Sequence, residues 1–456
     1  FESQADDIFK FFRQPPAELS YRNKRDRAKI HKYVYAGSPW VDLNSIEAEA
    51  SELLENDPAQ AERFFGNRLV QGLGAFLTDG ERCILCTRCI RFCQEITGTD
   101  ELTLVERGDR AEVRTFPGRQ LDNLYSMCTA DVCPVGALTT RDFRFKCRVW
   151  LLTSTDSICT GCSNGCNIHL DHFRNEIQRY RPRYNPEVND YWMCDAGRLS
   201  YKEVHTDRLL DPVLNGAEVT WHAVGEAVSK KVGRVQQNED AKFAFVLSPQ
   251  ASCEDLHLAK KFAELLGADK LYLGGKPNGF ADDFLIKADK NPNRRGIEAV
   301  FGGLDAVAPF GDLVDAIESG EVSALWMMGS HTPCDAETRA RFVAALDKLE
   351  LFVLQSEHAS ELAEKANVAL PASSHAEKDG TFINEAGIAQ PFFQAFEPHG
   401  SSLPDWQIFM RMAAALGQPL TYTFLSQIQK EMFEAISTVA EPGAASGATG
   451  PRPPVE

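Results

Sequence analysis

The sequence predicts an α/β chain in which small cysteine-rich modules precede a parallel sheet covered by helices. Three observations carry that expectation. Thirteen cysteines occur in 456 residues, and eight of those between Cys83 and Cys194 fall into two sets of four. From about residue 206 to 435, short β-rich runs alternate with helical ones, the pattern of parallel strands joined by helices. Before the first cysteine lies a polar, helical segment with no thiol.

In chain order, residues 1–77 form the helical segment, and "SIEAEASELLENDPAQAERFFGNRL" is its clearest amphipathic stretch. Ser38-Pro39-Trp40 and Asp57-Pro58 punctuate it. Residues 78–150 are dense in cysteine, and residues 151–205 make a second small module ending just past Cys194. In 206–435, "KFAFVLS", "KLYLGG", "VSALWMMGS" and "LFVLQS" read as strands. "CEDLHLAKKFAELLGA", "DLVDAIESG" and "ASELAEKA" read as helices between them. The tail, 436–456, is rich in Gly, Pro, Ala and Ser and is expected to be disordered.

The bulk properties narrow the function. Hydrophobic content of 43% with 25% charged residues is that of a globular chain. The net charge of −17 opposes non-specific binding to nucleic acid. No apolar run approaches the ~18 residues of a membrane helix. The start, "FESQADDIFKFF", lacks a basic segment followed by an apolar one, so no signal peptide is expected. Phe1 rather than Met at the start fits a fragment or partial reading frame. Clustered thiols in a long chain of this kind argue for metal in a reducing, cytoplasmic setting.

"GERCILCTRCIRFCQE" places Cys83, Cys86, Cys89 and Cys93 in a C-x2-C-x2-C-x3-C run. Two-residue gaps loop the backbone so that three thiolates converge on one side of a cubane. The fourth ligand of such a cluster commonly precedes a proline far along the chain, and "DVCPVGAL" supplies Cys133-Pro134. The expected ligands of a first 4Fe–4S cluster are therefore Cys83, Cys86, Cys89 and Cys133. Cys93 stands between a ligand and a spare thiol; Gln94 rather than proline follows it, which favours the spare. Cys128 and Cys147 read as packing thiols. Zinc is the rival metal, but four-cysteine zinc sites favour paired C-x2-C knuckles.

"DSICTGCSNGCNIHL" supplies Cys159, Cys162 and Cys166, and "YWMCDAGRL" supplies Cys194. These four are the expected ligands of a second 4Fe–4S cluster, with Gly161 and Gly165 allowing the backbone close to it. His169, in a strand-like pattern, reads as a surface residue. Arg179, Arg181 and Arg183 read equally as a charge balance for the cluster or as a solvated face.

These residues resemble the large iron–sulfur subunit of NADH–quinone oxidoreductase, respiratory complex I, known as the 75 kDa subunit. The resemblance runs from about Leu77 to Leu416 through "ERCILCTRCIRFCQEITGTDEL", "RGDRAEVRTFPGRQLDN", "DVCPVGALTTRDFRFKCRVW", "STDSICTGCSNGCNI" and "ALPASSHAEKDGTFINEAG". It implies a ferredoxin-like cluster domain, then a cluster module and parallel-sheet region of molybdopterin-oxidoreductase type. It also implies that the first cluster relays electrons from NADH and flavin toward quinone, and that the second lies off that path. Implied partners are a flavin/NADH-binding subunit and quinone-proximal iron–sulfur subunits. The implied location is peripheral, on the cytoplasmic side of the cell membrane, reached through the complex. No independent catalytic residue is expected in this chain.

Two departures follow from the resemblance. Catalytic molybdopterin enzymes place a lysine two residues after the last cluster cysteine; here stands Ala196. "KLYLGGKPNGFADD" offers no cysteine or serine ligand, Cys253 comes too early and Cys334 too late, so neither molybdenum nor pterin is expected. The 75 kDa subunit also begins with a 2Fe–2S domain and a second cubane, for which residues 1–77 have no cysteine. That segment instead resembles a stretch of phage terminase large subunits. Competing readings are an active pterin-dependent oxidoreductase related to formate dehydrogenase, and a non-redox scaffold stapled by clusters.

Overall fold

The computed structural model describes residues 20, 23–34, 43, 47–48, 50–51, 76–106, 108, 111–115, 120–238 and 241–439. The amphipathic stretch expected within residues 1–77 lies mostly outside these; of the tail expected to be disordered over 436–456, residues 436–439 continue a helix and the rest lies outside them. Two units divide at Arg141/Asp142.

In the first unit, α1 (Lys24–Val34) carries Asp26 in its first turn and His31 and Lys32 in its last, matching the helix dipole. After it come β1 (Phe76–Thr78), α2 (Arg88–Arg91), β2 (Leu102–Val105), β3 (Glu112–Thr115), α3 (Cys128–Asp131) and β4 (Leu138–Thr140). β1 pairs antiparallel with β4, with Thr78 opposite Leu138. Asp79 N–H extends this ladder to the Ala137 carbonyl at 2.8 Å. The pairing brings the Cys83 loop beside the Cys133 loop. β2 and β3 form a separate antiparallel pair.

The second unit opens with an antiparallel sheet of β5 (Thr153–Ile158), β6 (Asn167–Phe173) and β7 (Glu176–Pro182), followed by α4 (Asp195–Leu199). A seven-stranded sheet comes next. Its strands, with their helices in chain order, are β8 (Val213–Leu214), β9 (Ala217–Glu218), α5 (Trp221–Gln236), β10 (Phe243–Leu247), α6 (Cys253–Leu266), β11 (Ala268–Leu273), α7 (Arg294–Phe301), α8 (Phe310–Glu318), β12 (Ala324–Met328), α9 (Ala336–Ala345), β13 (Leu351–Ser356), α10 (Glu361–Lys365) and β14 (Val368–Pro371). The hairpin β15 (Gly380–Ile383) and β16 (Ala389–Phe392) and the helices α11 (Asp405–Ala415) and α12 (Leu425–Val439) complete it.

The spatial order is β11-β10-β12-β13-β14-β8-β9, parallel from β11 to β14. This is the expected parallel sheet, with β8 and β9 added antiparallel at one edge. The central strands are apolar on both faces because helices cover both. Phe243, Phe245 and Leu247 pack with α5, α6 and α11; Ala244 and Val246, between them, pack with α8 and α9. Strand order reverses between β10 and β12, opening a crevice at their C-terminal ends, where such sheets bind ligands.

Candidate iron–sulfur sites

At the first site the local backbone explains the cysteine spacing. Cys83 ends a single turn, its N–H bonding the Gly80 carbonyl at 3.1 Å. Leu85 (φ +54°) and Thr87 (φ +59°) then take left-handed conformations, which cost non-glycine residues of order 1 kcal/mol or more each. The strain sits in the two gaps of Cys83-x2-Cys86-x2-Cys89, where the chain curls tightly. Cys89 lies in α2, and its thiol is pushed up to about 11 by burial, with Cys133, Cys83 and Cys86 among its charged neighbours. Cys133 Sγ accepts the Leu138 N–H at 3.5 Å. The structure thus gathers Cys83, Cys86, Cys89 and Cys133.

Glu101, which sequence reasoning missed, ties the loop after Cys93 to the segment before Cys133. Its buried carboxylate accepts from Asp122 N–H (3.1 Å), Asn123 N–H (3.0 Å), Thr99 Oγ1 (2.8 Å) and Asn123 Nδ2. Cys93 is buried on this side, its thiol pushed up to about 12 by burial, then by Glu101 and Cys89. Cys128 is buried as well, while Cys147 is partly exposed.

The second site follows β5. Cys159 N–H bonds the Cys166 carbonyl at 2.9 Å, closing the loop of Cys159-x2-Cys162-x3-Cys166. Asn164 Nδ2 reaches Cys166 Sγ at 3.1 Å, Gly161 N–H reaches Cys159 Sγ at 3.5 Å, and Gly197 N–H reaches Cys194 Sγ at 3.3 Å. Cys194 caps α4, its sulfur accepting that Gly197 N–H. Burial pushes the Cys159, Cys166 and Cys194 thiols up, and neighbouring thiols add to it.

The glycines are needed for room. A Cβ on Gly197 would stand 3.0 Å from Cys159 Sγ and 3.2 Å from Cys194 Sγ. Gly165 (φ +66°) would drive a Cβ to 2.5 Å from Gln390 Oε1. We expect Gly197→Val to lose the second cluster and keep the first, read from iron content and the low-temperature EPR spectrum.

The β15–β16 hairpin grips this loop from far along the chain. Ser163 Oγ donates to Glu385 Oε2 (2.7 Å), Asn384 Nδ2 to the Asn164 carbonyl (3.2 Å) and Gln390 Nε2 to the Gly165 carbonyl (2.9 Å). Asn189 accepts the Asn167 N–H (2.9 Å) and donates to the Trp192 carbonyl (3.0 Å), joining β6 to the Cys194 segment. The sequence marks none of these partners.

The basic run is engaged within the sheet. Arg179 Nε and Arg181 Nε donate to the buried Asp171 Oδ2 at 2.8 and 2.7 Å, and Arg183 donates to Asn167 Oδ1 at 2.7 Å. His169 pairs with Asp156 at 3.0 Å. Burial works to raise Asp171, but Arg181 and Arg179 outweigh it and hold the carboxyl below its ordinary range. Its stabilisation is therefore present above about pH 4 and lost as pH falls through the depressed native value. We expect Asp171→Asn to cost about 1–3 kcal/mol at pH 7. Its thermal midpoint should also fall less steeply than the wild type's on acidification below pH 4, as scanning calorimetry would record.

Among the described residues, no three His, Cys, Asp or Glu side chains come together so as to hold one metal ion. Buried thiols met by amide N–H donors are the surroundings that tune iron–sulfur potentials.

The crevice between β10 and β12 is lined by Ser248, Lys276, Gly329, Lys378 and Asp405, among others. Its cations are already paired: Lys276 with Glu203 at 3.1 Å, and Lys378 with Asp255 at 2.9 Å and Asp405 at 2.6 Å. Burial holds His331 down to about 4. Ala196 lies within α4, and Cys253 is buried at the start of α6 with its Sγ 3.4 Å from Asn293 Oδ1.

Together these features define an iron–sulfur protein with a ferredoxin-like Fe4S4 domain followed by a molybdopterin-oxidoreductase fold. Residues 75–139 match the family model "NADH-quinone oxidoreductase subunit 3, ferredoxin-like domain". Residues 152–206 match "Molybdopterin oxidoreductase Fe4S4 domain", and residues 302–415 match "Molybdopterin oxidoreductase". The chain is similar to "NADH dehydrogenase [ubiquinone] iron-sulfur protein 1, mitochondrial" of Solanum tuberosum, at 25% identity over 79% of this chain and 63% of that protein. It is similar to "NADH-ubiquinone oxidoreductase 75 kDa subunit" of Reclinomonas americana, at 35% identity over 42% of this chain and 28% of the relative. The chain therefore spans less than two thirds of the length of these relatives. Likeness to the solved acetylene hydratase from Pelobacter acetylenicus is loose, with a TM-score of 0.37 at 10% identity over 58% of this chain and 69% of that one.

Proposed function

We propose that the chain is an electron-transfer subunit of a complex I-like NADH:quinone oxidoreductase, carrying two 4Fe–4S clusters and passing electrons from NADH and flavin toward quinone. The observation that carries this reading is the convergence of two separate four-thiol sets, each in a loop fitted with amide N–H donors. Cys83, Cys86, Cys89 and Cys133 would hold the relay cluster, and Cys159, Cys162, Cys166 and Cys194 the second. Such clusters supply one-electron transfer. The chain's own work is to bind them, exclude water and set their electrostatic surroundings through Leu138, Gly161, Asn164 and Gly197. The domain boundaries read from the sequence, near residues 77, 150, 205 and 435, belong to the same proposal.

Among the described residues no helix is long and apolar enough to cross a membrane. The reading makes the chain a peripheral subunit on the cytoplasmic side of the cell membrane, reaching the membrane through its complex. Partner subunits carrying flavin and further iron–sulfur clusters supply both ends of the path. Reductive titration followed by EPR tests this function. We expect the first cluster to reduce at potentials within reach of NADH; two clusters that resist reduction at every accessible potential would leave a structural role instead.

A further inference from the structure

We propose that Asp405 is the proton-accepting group of the second cluster site: when that site gains one electron, the Asp405 carboxylate takes up one proton. This rests on reading Cys159, Cys162, Cys166 and Cys194 as cluster ligands.

The geometry starts from the crevice at the strand-order reversal. Thr160, between Cys159 and Gly161, lines the same cavity as Lys378 and Asp405, and the cavity measures about 70 Å³. A water needs roughly 10–15 Å³ of such space, so the cavity that both the thiol loop and Asp405 border has room for several.

Charge on the far wall is unbalanced. The Lys378 ammonium is shared by two buried carboxylates, Asp255 (2.9 Å) and Asp405 (2.6 Å). One negative charge is left over. Asp255 accepts three further donors: Ser252 N–H (3.2 Å), Ser252 Oγ (2.8 Å) and Trp406 N–H (3.0 Å). Asp405 accepts Gln355 Nε2 at 2.6 Å, and Trp326 Nε1 fixes that amide by donating to Gln355 Oε1 at 3.3 Å. Asp255 is thus the better-solvated anion, and Asp405 is where a proton settles. Burial raises the Asp405 carboxyl to about 6, Lys378 opposing and Asp255 assisting.

The other titratable groups facing the cavity do not serve. Glu203 is paired with Lys276, and its carbonyl bonds His358 Nε2 at 2.9 Å. Burial first, then neighbouring lysines, hold His331 and His375 down to about 4, and His375 Nε2 is bonded to the Tyr180 hydroxyl at 3.0 Å. Glu357 also lines the cavity, and its backbone carbonyl accepts Arg208 Nε at 3.1 Å. An added negative charge raises the proton affinity of nearby acids, and Asp405 is the acid poised to respond near neutral pH. The electron comes from a reduced iron–sulfur donor and the proton from solvent through the cavity. No covalent bond of the chain other than the new O–H changes, and the net charge of the region is conserved.

The test is an EPR-monitored redox titration of the full cluster-loaded chain between pH 5.5 and 8. The second cluster's potential should fall as pH rises, approaching a tenfold change per pH unit, which for one electron is 59 mV. D405N should flatten the dependence, D405E should retain it, and the first cluster should respond to neither. A reduced-minus-oxidised infrared difference spectrum of the wild type should gain a protonated carboxylic C=O band that shifts in D2O. That measurement decides the matter if D405N does not hold the cluster. A second cluster present with a pH-independent potential, an unchanged slope in D405N, or no carboxylic band overturns the proton assignment alone. Absence of any second-cluster signal overturns the ligand reading with it.

Discussion

Cys133→Ala abolishes or converts the first cluster and leaves the second intact, whereas Cys93→Ala spares both. This is the largest effect expected of any single substitution, because a cubane takes one thiolate at each iron. Cys133 comes to the run at Cys83–Cys89 through the β1–β4 ladder and the Glu101 links, and its sulfur is among the charged neighbours of Cys89. The surroundings of the two candidates differ in kind. The thiols around Cys89 exchange their protons for iron on cluster binding. The carboxylates around Cys93, Glu101 and Asp100, remain and oppose a thiolate there. EPR and iron content of the two variants separate the assignments; equal loss in both would mean that Cys93 is a ligand.

Lys378→Met destabilises the second unit by about 3–5 kcal/mol at pH 8, the usual cost of stripping the partner from buried charge. Methionine fills the stem but leaves Asp255 and Asp405 without their shared ammonium. The sign of the pH dependence follows from Asp405. Its native proton affinity is raised, so the contribution from protonation is present below about pH 4 and is lost as pH rises through about 6. Removing Lys378 pushes that upper limit higher still. Urea unfolding followed by tryptophan fluorescence should therefore give a deficit that shrinks between pH 8 and pH 5. Adding Asp405→Asn to Lys378→Met should recover part of it. An equal deficit at both pH values would place the cost in packing rather than charge.

What the sequence revealed and what it hid divide by range. The gathering of thiols is written in local spacing, so the grouping of Cys83, Cys86 and Cys89 and the loop Cys159–Cys166 were legible, and the proline after Cys133 marked a distant neighbour of the first group. The parallel sheet was legible because "FAFVL" and "ALWMM" are apolar on both faces and match β10 and β12. The antiparallel additions β8 and β9 were not, since two-residue strands carry no periodicity. Asp171 is legible only once β6 and β7 pair, which turns the arginine run toward a buried carboxylate rather than leaving its role open. Glu101, Asn189, Lys378 and Gln390 look like ordinary surface polar residues in the sequence. Their partners lie far along the chain, and the fold alone brings them together.

Metal and sulfide analysis of the anaerobically loaded chain, with EPR spectra of the wild type, Cys133→Ala and Cys194→Ala, decides whether the two thiol sets hold clusters. The expected result is iron and sulfide for two four-iron clusters per chain. Each variant should lose one cluster's iron and a different one of the two EPR signals. Zinc in place of iron, a single cluster in the wild type, or loss of the same signal in both variants would contradict it.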